Sequence, residues 1–243
     1  LIVAGDCGFG FEKKEYYEQM VRRNAKRMNQ ANNWIVFVRG NHDNPAYFDG
    51  AMFNAKRFIA VPDYSILQAC NHTILCVGGA ISIDRIYRKI NGKKENTDSI
   101  SMIRKKTIFP AIYIEEEAPI YDSDKLNAIR ASFMIDTVIT HTAPSHCELF
   151  SKSNLNQWAE NDSSLIEDIQ FERKTMDMLL DRLKTDNHPV TIDIMVIFIK
   201  VGIPALTEYY IRCSTLWSSV KSIDLYYFGY NIDIISKIIP DRI

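Results

Sequence analysis

Little in this chain speaks for a disulfide-stapled, membrane-spanning or nucleic-acid-coating protein. Its cysteines (Cys7, Cys70, Cys76, Cys147 and Cys213) are five, an odd number, and none stands in a Cys-x-x-Cys pair. That fits a reducing compartment, here expected to be cytoplasmic, better than a disulfide scaffold. Positive charge is not in excess: 29 Lys and Arg face 30 Asp and Glu, a formal net charge of -1. No global basic field argues for nucleic acid, and a long nucleic-acid substrate is not expected. The longest apolar run, Ile192 to Leu206, is too short for a bilayer span and contains Asp193 and Lys200, so no membrane partner is expected. No secretory signal, internal repeat or low-complexity linker is visible. What remains is ordinary globular composition, 47% apolar and 24% charged over 243 residues, read as one domain.

The chain opens on Leu1-Ile2-Val3-Ala4, the end of a buried strand broken by Gly5-Asp6-Cys7-Gly8. A helix is expected from about Glu12 to Asn32, with Tyr16, Met20, Ala25 and Met28 on one stripe. Trp34 to Val38 reads as a second buried strand. Strand, loop, helix, strand is the βαβ signature of a parallel layer. Tyr64–Leu67, Thr73–Val77 and Ile135–Thr140 are further strands, and Lys125–Phe133 and Leu165–Lys184 are helices. On the last, Ile166, Ile169, Met176, Leu179, Leu180 and Leu183 supply the apolar face. Arg85 to Glu117 reads as a charged excursion or lid. From Ile192 to Ile243 isoleucine is abundant, Glu208 is the sole glutamate and no structural period persists.

Chemistry-bearing residues fall at strand ends. Arg39-Gly40-Asn41-His42-Asp43 follows the second buried strand, at the edge where open α/β sheets bind ligands. Such a run is either a turn with side-chain caps or a site that holds a metal or moves a proton. Asp43 is expected to orient His42 and raise its pKa. Asp6 stands beside Gly5 and Gly8, as a turn aspartate or a ligand. His141 ends the Ile135–Thr140 strand and reads as a ligand once its partners at two other strand tips are counted. Arg39 is either a phosphate contact or a surface residue. Arg85, Arg88, Lys89, Lys93 and Lys94 form either a solvated charged loop or an anion-binding cluster. His72, His146 and His188 are read as surface or turn residues, and Cys7 as a small packing residue.

Gly5-Asp6-Cys7-Gly8, Gly40-Asn41-His42-Asp43 and Thr140-His141, in that order, resemble the calcineurin-like metallophosphoesterase superfamily, in its bacterial form. The family signature has five blocks: Asp-x-His, Gly-Asp, Gly-Asn-His-Asp/Glu, a lone His, and Gly-His-x-His. The middle three stand between Leu1 and about Thr191, and Gly78-Gly79-Ala80 with Ser82-Ile83-Asp84-Arg85 resembles a segment many bacterial members carry. The resemblance implies an α/β fold, a two-sheet β-sandwich flanked by helices in four layers. It implies two divalent metal ions at the strand ends, manganese, iron, zinc or similar. Asp6 would bridge them; Asn41 and His141 would bind the second; His42 would protonate the leaving group with Asp43 behind it.

Two blocks are missing. The chain starts at Leu1, mid-strand and without a methionine, so the Asp-x-His block is expected upstream. The Gly-His-x-His block is expected on a strand beginning near Pro189-Val190-Thr191, where the chain reads Ile192 to Lys200 instead. Read from the last base of each codon, the Met195–Val196 junction compels glycine. The next three junctions permit His-Phe-His. A frameshift or a sequencing error near Thr191–Ile192 is therefore expected, with residues 1–191 a partial metallophosphoesterase domain and 192–243 an out-of-frame tail. The implied function is metal-dependent hydrolysis of a phosphomonoester or phosphodiester, impaired in the chain as written. The alternative is a catalytically defective binding or scaffold protein on the same fold.

Overall fold

A computed structural model describes residues 1–69, 71–95, 117–145 and 155–183, with the backbone strands at 191–194 and 224–226. It is mixed α/β, with helices and two mixed sheets. The first sheet holds β1 (Ile2–Ala4), β2 (Ile35–Val38), β3 (Asn54–Ala55) and β4 (Phe58–Ala60) in the order β1-β2-β4-β3. The second holds β5 (Ser65–Ala69), β6 (His72–Val77), β7 (Thr137–Thr140), β8 (Thr191–Ile194) and β9 (Asp224–Tyr226) in the order β8-β7-β6-β5-β9. β1 and β2 pair in parallel, Ile2 opposite Val36, as the strand–helix–strand reading required. β6, β7 and β8 are also parallel, so their C-terminal ends share one edge.

Strand alternation divides the apolar residues between clusters. On β2, Ile35 and Phe37 join Phe58, Ala60, Phe9, Tyr17 and Phe53. Val36 and Val38 turn the other way, toward Ile59, Leu67, Ile74, Cys76 and Ile139. The second cluster thus draws residues from both sheets. On β5 and β6, Ile66, Leu75 and Val77 join Val138 and the helices α3 (Ser123–Ser132) and α5 (Leu165–Leu183) through Leu126, Ile129, Met176 and Leu179.

Helix α1 (Lys14–Gln30) ends as Asn32-Asn33 foretold. Asn32 takes φ 51°. Its N–H donates to Asn29 O, and that of Asn33 donates to Met28 O. This is a Schellman stop with asparagine in the left-handed position. Of the expected stripe, Met20 and Met28 pack against the aromatic cluster, but Tyr16 does not: Tyr17 is buried in its place and Tyr16 is 54% exposed. On α5, Met176, Leu179, Leu180 and Leu183 are buried, while Ile166 is exposed.

The Arg85–Glu117 segment departs from the expected excursion. It begins with α2 (Arg85–Glu95), and residues 96–116 lie outside the described set. Arg85 and Arg88 belong to neither of the two expected arrangements. Arg88 is buried and pairs with Asp84 at 3.0 Å and Glu117 at 2.6 Å. Arg85 bridges Asp162 at 2.5 Å, in the link after the short helix α4 (Leu155–Ala159), and Asp168 at 2.6 Å, in the first turn of α5. The domain boundary expected at 191 falls inside β8, whose residues 191–194 pair with β7. A second tail segment, β9, pairs with β5. Among the described residues no helix is long and apolar enough to cross a membrane. His72 is exposed at the start of β6; His146, His188, Cys70, Cys147, Cys213 and the side chains of Lys93 and Lys94 lie outside the described residues.

Candidate metal centre

Three strand tips bring Asp6, Asn41 and His141 into contact. Asp6 follows β1, Asn41 follows β2 and His141 follows β7. The His141 Nε2 lies 2.9 Å from Asn41 Oδ1 and 3.3 Å from Asp6 Oδ1. Its Nδ1 lies 2.7 Å from the Ala4 carbonyl. Because a carbonyl only accepts, Nδ1 carries a proton, and Nε2 is the nitrogen turned to the two oxygens.

Close approach of backbone makes this possible. A Cβ on Gly5, which takes φ +98°, would stand 2.0 Å from His141 Nδ1. A Cβ on Gly40 would stand 2.2 Å from the Asp6 backbone nitrogen. Both glycines are therefore required for packing, Gly5 also for conformation. Asp6 itself adopts φ 51°, a left-handed state aspartate tolerates better than most residues. There its Oδ1 accepts the His42 N–H at 3.1 Å, stitching the first loop to the second.

The charges are mutually adjusted. Burial works to raise the Asp6 pKa, but the His141 contact and the nearby His42 outweigh it and hold the carboxyl below its ordinary value. Burial likewise works against charge on His141, and the Asp6 contact outweighs it, raising the imidazole pKa. Two oxygen acceptors facing one ring nitrogen need a cation between them, either a proton or a metal ion.

Asp43 does not orient His42. Its carboxylate, fully buried, accepts the backbone N–H groups of Gly40 at 2.8 Å, Cys7 at 3.1 Å and Phe9 at 3.1 Å. Burial nevertheless raises its pKa. It is the clamp between the two ligand loops. The His42 imidazole enters no hydrogen bond among the described residues; its ring stacks 6.5 Å from that of Phe11. Arg39 is not a surface residue: it is 4% exposed and donates to Asp63 Oδ2 at 2.8 Å and to Glu117 O at 3.1 Å. That commitment makes it a buried strut between the loop after β2, Asp63 and the Glu117 segment. Cys7 packs against the aromatic cluster, as expected of a small apolar residue.

Sequence reasoning missed the residues behind Asn41. Its Nδ2 donates to Ser82 Oγ at 2.6 Å, and Ser82 donates onward to Glu117 at 2.9 Å. Glu172 of α5 was missed as well. It is buried, takes hydrogen bonds from Thr142 Oγ1 and the Ile81 N–H, and burial pushes its pKa up to about 7. Ser82 stands in the segment that resembles bacterial members, but nothing local marks it as a partner of Asn41, and no local motif marks Glu117 or Glu172.

The donor set fits a single divalent ion. Cis ligands at ~2.1 Å from an octahedral ion lie ~3.0 Å apart, and the two distances to Nε2 are 2.9 and 3.3 Å. Carboxylate, amide oxygen and neutral imidazole are chemically suited to such a metal, and the Ala4 carbonyl fixes the tautomer as a second-layer partner does. Among the described residues no group of three or more His, Cys, Asp or Glu is placed to hold a metal ion, because the third donor here is an asparagine. Comparison of the chain with protein-family models, curated proteins and solved structures finds no match to any of them.

Proposed function

We propose that this chain is a metal-dependent phosphoesterase of calcineurin-like type, hydrolysing a phosphomonoester or phosphodiester. The observation that carries the reading is the meeting of Asp6, Asn41 and His141 from three strand tips at hydrogen-bonding distance. The three apolar clusters support it further. α1 packs against the first sheet, the first sheet against the second, and α3 with α5 against the second, contacts that a four-layer sandwich would require.

Asp6, Asn41 and His141 would hold one ion, and Asp6 alone among the described residues would reach a second. Such ions, when bound, neutralise phosphate charge and acidify a water for in-line attack. The residues of the chain do the rest. His141 is held by Ala4 through Nδ1 and would bind a cation through an unprotonated Nε2. Asp43 keeps the Asp6 and Asn41 loops in register through their amides. His42, with its imidazole unengaged among the described residues, is the group that delivers a proton to the leaving oxygen.

The register of β8 supports a lost fifth block. Thr140 pairs with Ile194, so β8, the strand on which a Gly-His-x-His block would be expected, lies beside the strand that leads into His141. The second reading, a binding protein on the same fold, is favoured only by the donors of one ion being present.

The test is a repaired chain carrying M195G, V196H, I197F and F198H, assayed with Mn2+ and a chromogenic phosphate ester. It is expected to take up more Mn2+ than the chain as written and to gain turnover, both lost in Asp6→Asn. Equal uptake and no turnover would favour the binding reading.

A further inference from the structure

Asn41 faces a choice that the shape of its side chain does not make for it. A side-chain amide can present either oxygen or nitrogen to the cation position, and only oxygen binds a cation. Something must hold the amide the right way round.

Proton accounting identifies what does. Glu117 is 5% exposed, and its carboxylate accepts the Ser82 N–H at 2.8 Å, the Ser82 hydroxyl at 2.9 Å and Arg88 Nη2 at 2.6 Å. Ser82, 2% exposed, has one hydroxyl proton, and the carboxylate takes it. Toward Asn41, only 2.6 Å away, Ser82 Oγ can then only accept. It must meet Nδ2, and Oδ1 is turned toward His141. Reversing the amide would set two acceptors against each other at 2.6 Å in a buried place.

We propose that Ser82 is a positioning residue: backed by Glu117 and Arg88, its hydroxyl fixes the Asn41 amide with oxygen toward the Asp6–His141 cation position. The chain spans α2, the loop after β6, the Glu117 segment and the loop after β2. Arg88 anchors it from outside, also holding Asp84 at 3.0 Å. The inference rests on the metal reading of Asp6, Asn41 and His141, and its test separates the two.

The full chain is compared with Ser82→Ala, each also in an Asn41→Asp background. Without metal, 15N–1H NMR reads water exchange of the Asn41 side-chain amide. It is expected to be slow in the native chain and at least tenfold faster in Ser82→Ala. With Mn2+, Ser82→Ala is expected to raise Kd about tenfold, as loss of an outer-layer partner does. In the Asn41→Asp background, where both side-chain oxygens are equivalent, the same change is expected to alter Kd less than twofold. Unchanged amide exchange in Ser82→Ala, or an equal loss of affinity in both backgrounds, would overturn the proposal. Faster exchange in a chain that binds no Mn2+ would keep the Ser82 contact and sink the metal reading.

Discussion

A buried carboxylate surrounded only by backbone amides is a structural device before it is a chemical one. Asp43 accepts three N–H groups, from Gly40, Cys7 and Phe9. Removing the acceptors orphans three buried donors, at roughly 1–3 kcal/mol each. Asp43→Ala is therefore expected to lose at least about 3 kcal/mol in urea unfolding. A loss under about 1 kcal/mol would return Asp43 to the role of a partner for His42. At this scale the site was largely legible. Asp6, Asn41, His42 and His141 each abut a buried strand within a few residues, so local pattern put them on one edge. Ser82 and Glu117 were not legible, because they reach Asn41 from 41 and, through Ser82, a further 35 residues away. The surface alternative for Arg39 fell to its partner Asp63: a guanidinium at a strand tip looks solvent-facing until that partner is known.

Elements are placed here by the side chains that bind loops to them. α1 docks through Tyr17, whose hydroxyl donates to Gly8 O at 2.6 Å and accepts from Gly10 N at 2.9 Å and Glu12 N at 3.1 Å. Those contacts shape the loop that carries Asp6 and Phe9. Tyr17→Phe is expected to cost about 1–2 kcal/mol, whereas Tyr16→Ala, on the exposed side, should stay within about 0.5 kcal/mol. Thermal or urea melts of both variants check this; equal costs would put the wrong tyrosine in the core. Helical period alone cannot separate adjacent aromatics, and for that reason the sequence pointed to Tyr16. The longer strands and the helices α1, α3 and α5 were legible from their apolar runs, whereas α2, rich in charge, was read as an excursion. β3 and β4 were not: they are two and three residues long, and their link through Arg57, at φ 71°, carries no glycine to announce a turn.

Across the whole molecule, Glu172 joins α5 to the strand-end loops after β6 and β7. Burial raises its pKa from the ordinary 4.5 to about 7. The folded chain therefore holds this proton more tightly than the unfolded chain. Below about pH 4.5 both states are protonated and the group contributes nothing. As pH rises to about 7 the unfolded state is increasingly favoured, and above it a penalty of about 3 kcal/mol is complete. Glu172→Gln is expected to gain stability relative to the native chain by about that amount between pH 4.5 and 8. A difference between the two that does not change with pH would show that burial leaves Glu172 ionised without cost.

The central claim is that three strand tips share one divalent cation, and a Mn2+ titration of the full chain tests it most directly. The account predicts one ion bound, with affinity reduced at least tenfold in both Asp6→Asn and Asn41→Leu while the fold, read by circular dichroism, is kept. A native chain that takes up no Mn2+, or an affinity indifferent to both substitutions, would contradict it.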